Sequence, residues 1–121
     1  MVEFAIAAGI FVTLLLGIVE FALASWQKNS VAADAREGAR YASLHGARSS
    51  HVATSDSVSN YVKSITSLGG NSIRVTTVWP DNPPKDPGSR VEVSVAHSVP
   101  RRGIFLSAHV DSATSKLIIM N

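Results

Sequence analysis

The fold is decided by residues 1–26, MVEFAIAAGIFVTLLLGIVEFALASW. Twenty of these 26 residues are apolar, whereas only about 34 of the other 95 are. No charge interrupts the run from Phe4 to Val19, whose 16 residues form ~24 Å of helix, slightly less than a ~30 Å hydrocarbon core. Extension to Trp26 makes the helix long enough, with Trp26 and Lys28 as interfacial anchors. The pattern predicts a membrane-spanning or filament-core helix rather than a cleaved signal peptide, which needs a basic region before the apolar run.

The charge changes sign along the chain, although the 121 residues together carry only +2. Residues 1–26 hold two acids and no Lys or Arg, for a net −2, and residues 27–48 have a net +2. Residues 49–121 add a further +2. So small a total gives no reason to expect a nucleic-acid partner. The absence of cysteine excludes a disulfide framework, a thiol nucleophile and Cys-ligated metal sites.

Two acids in so apolar a helix need an explanation, because desolvation penalises a charged carboxylate. Glu3 either lies in the lipid headgroup region or meets a cation of a neighbouring chain, such as an α-amino group. Glu20 has the same two interpretations, and the candidate cations are Lys28, Arg36 or Arg40 of a neighbour. A single-pass anchor has no use for either acid, whereas a bundle of axially staggered identical helices could use both.

Residues 27–48, QKNSVAADAREGARYASLHGAR, extend the helical pattern. Small residues recur at helical spacing at Val31, Ala35, Ala39, Ala42 and Gly46, which permits close approach between helices. The pattern predicts either a short amphipathic helix beside the membrane or one continuous helix from Met1 to about Arg48, ~72 Å long. A helix with so thin an apolar stripe needs neighbours to be stable.

Three stretches in this order carry a family resemblance: residues 2–6 (VEFAI), 14–22 (LLLGIVEFA) and 35–42 (AREGARYA). The sequence resembles a TadE-like pilin, from the tight-adherence branch of type IV pilus systems, and the third stretch is the most specific. The resemblance implies an inner-membrane prepilin that a prepilin peptidase trims and assembly machinery extracts into an extracellular filament. Glu3 then matches the acid near the processed N-terminus that is thought to contact a neighbouring subunit. Precursors in the family carry a short basic leader, which predicts that this sequence is a processed or shortened form.

Orientation in the membrane also follows from the resemblance. Taken alone, the positive-inside rule places Lys28 and the following arginines in the cytoplasm. The resemblance implies the opposite, since the basic leader supplies the cytoplasmic charge, and we expect the resemblance to be right.

Residues 49–121 are expected to form a small α+β head. Val58, Val62, Ile65 and Leu68 follow helical spacing, so we predict a helix from about Asp56 to Leu68, ended by Gly69-Gly70. Strands are predicted over 73–79, over 90–99 with its end at Pro100, and over 115–120, giving three to four antiparallel strands. Residues 80–89 are a Pro-rich loop, and 101–112 are ambiguous. With so few apolar residues the head needs packing on the long helix or on adjacent subunits.

The histidines give no convincing site. His45, His51, His97 and His109 accompany Asp111 and many serines, but no His-x-x-x-His or Gly-x-Ser-x-Gly motif is present. Arg101-Arg102 is read as a solvated turn, with a role in subunit contacts or adhesion as the alternative. We predict no catalytic residue, cofactor or metal, and hence no enzyme.

The sequence thus predicts an α+β pilin with three parts: a filament-core half-helix (1–26), its amphipathic continuation (27–48) and a head (49–121). Its function is to polymerise with copies of itself into a pilus for surface attachment. The predicted assembly contacts are Glu3, Phe4, Glu20, Lys28, Arg36 and Arg40. The alternatives are a single-pass membrane protein whose head binds a ligand or partner without polymerising and, more remotely, a membrane-anchored hydrolase.

Overall fold

The computed structural model describes residues 1–99 and 108–120. Two helices, α1 (Val2–Leu44) and α2 (Ser55–Ile65), precede three strands, β1 (Ile73–Val78), β2 (Arg90–Val99) and β3 (His109–Ile118). The strands form an antiparallel sheet in the order β1-β2-β3. This architecture confirms the α+β fold with a long N-terminal apolar helix, a second short helix and a three-stranded sheet.

The C-terminal half of α1 is the central support of the head. The sheet packs on it through the alternate residues Val91, Val93 and Val95 of β2, all fully buried. Helix α2 packs against α1 and β1 through Val58 and Val62. The head therefore packs on the long helix, which is one of the two supports expected from the sequence. The buried core comprises Val31, Ala35, Ala39, Ala42, Ala53, Val58, Val62, Ile73, Val91, Val93, Val95 and Ile119.

This packing corrects the interpretation of the small-residue stripe. Val31, Ala35, Ala39 and Ala42 are covered by the chain's own sheet and α2, so they are unavailable to a neighbouring helix. The small side chains let the sheet and α2 approach the α1 backbone closely. At Gly38 the approach is closest, since an added Cβ would lie 2.7 Å from a Val62 methyl group and 3.0 Å from a Val93 methyl group.

Helix α1 is continuous but ends at Leu44 rather than near Arg48. The Met120 backbone N–H donates to the Ser43 carbonyl at 3.0 Å, and the His45 ring lies 2.8 Å from the Tyr41 carbonyl oxygen. These tertiary and local bonds satisfy carbonyls that a longer helix would bond, so the chain turns away. Gly46, the last member of the predicted stripe, thus lies beyond the helix.

Helix α2 matches the prediction in place but ends at Ile65, three residues before Leu68. At its start Thr54 and Ser57 form a reciprocal capping box, with side chain to backbone distances of 3.1 and 2.8 Å. At its end Thr66 is extended, and its hydroxyl donates to the buried Asp34 carboxylate of α1 at 2.5 Å. This tertiary hydrogen bond draws Thr66 out of the helix.

The strands β1 and β2 agree with the prediction, whereas β3 begins at His109 instead of Ser115. Residues 109–114 have no apolar alternation, but they pair with β2 in continuous register from His109 opposite Val99 to Ile118 opposite Arg90. Long-range backbone pairing therefore overrides a weak local signal. The predicted strand end at Pro100, the Arg101-Arg102 pair and residues 101–107 of the ambiguous segment lie outside the described residues.

Candidate assembly surface

The first half of α1 exposes its apolar side chains along its whole length. Phe4, Phe11 and Phe21 are 79, 62 and 72% exposed, and none of the most hydrophobic 18-residue window is buried. Within the described residues this is the one helix long and apolar enough to cross a membrane, with a mean hydropathy of 2.4. Water is a poor solvent for such a surface, which favours a lipid bilayer or the same surface of other chains.

The two acids of this half-helix lie on different faces. Glu3 is exposed in the first turn of α1, where the helix dipole favours a negative charge. Glu20 is half-buried and precedes the buried Val31 by eleven residues, about three turns, so it lies on the side of α1 that carries the head. The two carboxylates are ~26 Å apart along the axis.

Two of the three predicted basic contacts, Arg36 and Arg40, lie on the side of α1 that the described part of the head leaves open, whereas Lys28 lies below the head on the side of the buried Ala35 and Ala39. Lys28, Arg36 and Arg40 are all exposed, while the buried residues of the same segment face the sheet. Arg40 lies 3.8 Å from Glu37 one turn earlier, an exposed pair of small energetic weight. The result is an exposed positive strip of α1 facing away from the head, which we call the basic strip (Arg36, Arg40).

A shallow apolar groove runs along the exposed half of α1. It has a volume of about 480 Å³, and Thr13 donates its hydroxyl hydrogen to the Gly9 carbonyl at 2.8 Å, which leaves the groove wall without a protruding polar group. An added Cβ at Gly9 or Gly17 would meet nothing within 4 Å in the described part of the chain. The residues that line the groove are Ala5, Ile6, Gly9, Ile10, Thr13 and Leu14.

The sheet places His97 of β2 beside His109 and Asp111 of the neighbouring strand β3. His97 on β2 lies opposite Asp111 on β3, both more than nine-tenths buried, and the His109 Nε2 atom is 3.3 Å from an Asp111 carboxylate oxygen. His97 also borders a pocket of about 550 Å³ at the foot of the head, beside Trp26 and Gln27. Within the described segments no three metal-ligating side chains form a cluster. The alternation along β2 places His97 on the apolar face of the strand. Its pairing with Asp111 depends on the register between β2 and β3, which the sequence alone does not reveal.

An ion pair of the head, reinforced by several hydrogen bonds, is remote from this surface. Arg90 at the start of β2 holds the Asp81 carboxylate of the Pro-rich loop, with one guanidinium contact of 2.8 Å and a backbone N–H contact of 2.6 Å. These hydrogen bonds hold the pKa of Asp81 below its ordinary value of 3.8. The pair fixes the loop to the sheet and lies in the head, well away from the apolar half of α1.

Comparison with known proteins addresses the same part of the chain. No curated protein and no solved structure matches it. Residues 1–40 match the model of the TadE-like protein family, and this segment contains every predicted assembly contact. The TadE-like family is structural rather than enzymatic. The match covers one third of the chain and agrees with the resemblance: the N-terminal segment is similar to the TadE-like protein family.

Proposed function

We propose that the chain is a structural pilin subunit that polymerises through α1 into an extracellular Tad pilus serving surface attachment. The supporting observation is the first half of α1, whose apolar side chains the described part of the head leaves exposed and which nevertheless carries Glu3 and Glu20. A lipid anchor needs only the apolar side chains, whereas acids become useful where helices meet helices. The family match over residues 1–40 supports the association with a pilus.

The assembly replaces lipid with sister helices. Before assembly, the apolar half of α1 lies in the inner membrane, and prepilin peptidase and the assembly machinery act on the chain there. During extraction, lipid contacts are exchanged for van der Waals contacts between helices, so polar pairs and close packing decide the register. The heads, carried on one side of α1, form the outer surface of the filament.

The competing function is a membrane-anchored head that binds a ligand or partner without polymerising. The pocket of about 550 Å³ beside Trp26 and His97 is the observation that favours it. This function predicts monomers in the membrane and no filaments, so one experiment separates the two.

The test is electron microscopy of filaments sheared from cells, with mass spectrometry of the subunit and its N-terminus. We expect filaments built of this chain, with Glu3→Gln lowering their yield and Glu37→Gln, an acid of the second half of α1, leaving it unchanged. Detection of the chain only as a membrane-embedded monomer would contradict the proposal and favour the ligand-binding head.

A further inference from the structure

We propose that the basic strip of one copy docks against the head-bearing side of the exposed half of α1 in the next copy, with Arg36 facing Glu20. This inference rests on the proposed function and specifies its subunit contact. The two surfaces belong to segments of opposite charge, with a net −2 over residues 1–26 and +2 over residues 27–48. They lie on different faces and at different heights of the same helix, so one copy can contact two different neighbours through them.

Such a contact is heterologous, because one face of the helix meets a different face of its neighbour. A heterologous contact leaves the second surface of each copy open for another copy. It therefore produces an open-ended assembly unless the rotation closes a ring. This separates it from a symmetric dimer, in which the same patch would be used by both chains.

The positions of small residues favour Arg36, rather than Lys28 or Arg40, as the partner of Glu20. When parallel helices are shifted by 16 residues, ~24 Å, Arg36 lies level with Glu20. The same shift places Ala33 against Gly17, Asn29 against Thr13 and Ser25 against Gly9. Small residues then meet on both sides of the contact, which allows the backbones to approach closely.

The two other registers are less favourable. Pairing Glu20 with Lys28 requires a shift of eight residues, which puts Phe21 on Thr13 in the middle of the groove. Pairing Glu20 with Arg40 requires a shift of 20 residues, which puts the Glu37 carboxylate against Gly17. Arg36 is exposed, and its planar guanidinium can bind a carboxylate with two hydrogen bonds.

The contact between Glu20 and Arg36 can be tested by exchanging their charges in full-length protein expressed in its own cells. We expect Glu20→Arg and Arg36→Glu each to reduce sheared filament yield by about tenfold or more, with the amount of membrane-bound protein unchanged. The combination Glu20→Arg with Arg36→Glu should restore assembly, and the matched combination Glu20→Arg with Arg40→Glu should not. Wild-type yield from both single variants, or rescue only by the Arg40 combination, would overturn the register while leaving the filament proposal intact.

A second experiment remains informative if the charge variants fail to insert. The chain contains no cysteine, so an engineered pair reports its own contact without background. Thr13→Cys with Asn29→Cys should give a ladder of disulfide-linked oligomers when filaments are oxidised, whereas the control Thr13→Cys with Ala33→Cys, which are level only in the Arg40 register, should give little. A dimer without higher species indicates a symmetric contact and refutes the inference. If the wild-type chain forms no filaments, the proposed function fails as well.

Discussion

The two halves of α1 both carry small residues along one side, but they differ sharply in how much of that side is buried. In the second half, that side is covered by the sheet and α2, and Val31, Ala35 and Ala39 are at most 1% exposed. In the first half, an added Cβ at Gly9 or Gly17 would meet nothing within 4 Å among the described residues. Small residues thus serve close packing within the chain in the second half, and under the proposed function they serve packing between copies in the first half.

The largest expected effect comes from placing a charge in the covered half. Ala39→Asp would bury an unpaired carboxylate among the core valines, and we expect it to destabilise the head by ~3 kcal/mol or more. The measurement is thermal unfolding of the full chain in detergent micelles by near-UV circular dichroism. The control Ala33→Asp lies on the exposed side and should change stability by less than ~0.5 kcal/mol. Equal effects from both would mean that the head does not use this side of α1.

The hydrogen bond between α2 and α1 comes next. Thr66→Val keeps the shape of the side chain but removes the donor to the buried Asp34 carboxylate, so we expect a loss of ~1–3 kcal/mol in the same unfolding measurement. Thr114→Val is the matched control, since its hydroxyl bonds Ser94 on the exposed face of the sheet, where water can substitute. A Thr66 variant as stable as wild type would show that this contact does not hold α2 to α1.

Glycine substitutions then compare the two halves directly. Gly38→Ala gains helix propensity but forces its Cβ against Val62 and Val93, so we expect a net destabilisation of ~1–2 kcal/mol. Gly17→Ala meets no atom within 4 Å and should leave head stability unchanged while reducing filament yield. Reduced head stability from Gly17→Ala, with unchanged filament yield, would reverse the roles that we assign to the two halves.

The smallest effect is expected from the Asp81–Arg90 pair of the head. Because its pKa is lowered in the folded state, Asp81 adds stability at pH values above its ordinary pKa, and this contribution is lost as the pH falls through the lowered pKa. Asp81→Asn should therefore lower the Tm slightly at pH 7, by at most ~2 °C, because the pair is exposed. The difference should shrink as the pH falls below 3.8 and vanish below the lowered pKa of Asp81. A difference that persists in acid would indicate a role of the side chain other than charge.

Much of the fold could be predicted because its signals are local. The apolar run to Trp26, the helical spacing around Val58 and the alternation of β2 each predicted the element that is observed. The end of α1 at Leu44, the early end of α2 at Ile65 and the start of β3 at His109 were missed. Each of these depends on a partner distant in sequence, respectively Met120, Asp34 and the paired strand β2.

The sequence by itself determined that α1 is long and apolar, that its charge changes sign near Trp26, and that its first 40 residues have TadE-like character. These are properties of periodicity, composition and motif, which need no contact partner. Only the tertiary structure decided which side of α1 the head covers and that the basic strip faces away from it. The physical reason is that a helix carrying small residues can pack with either a sheet of its own chain or another helix, and long-range burial selects between them.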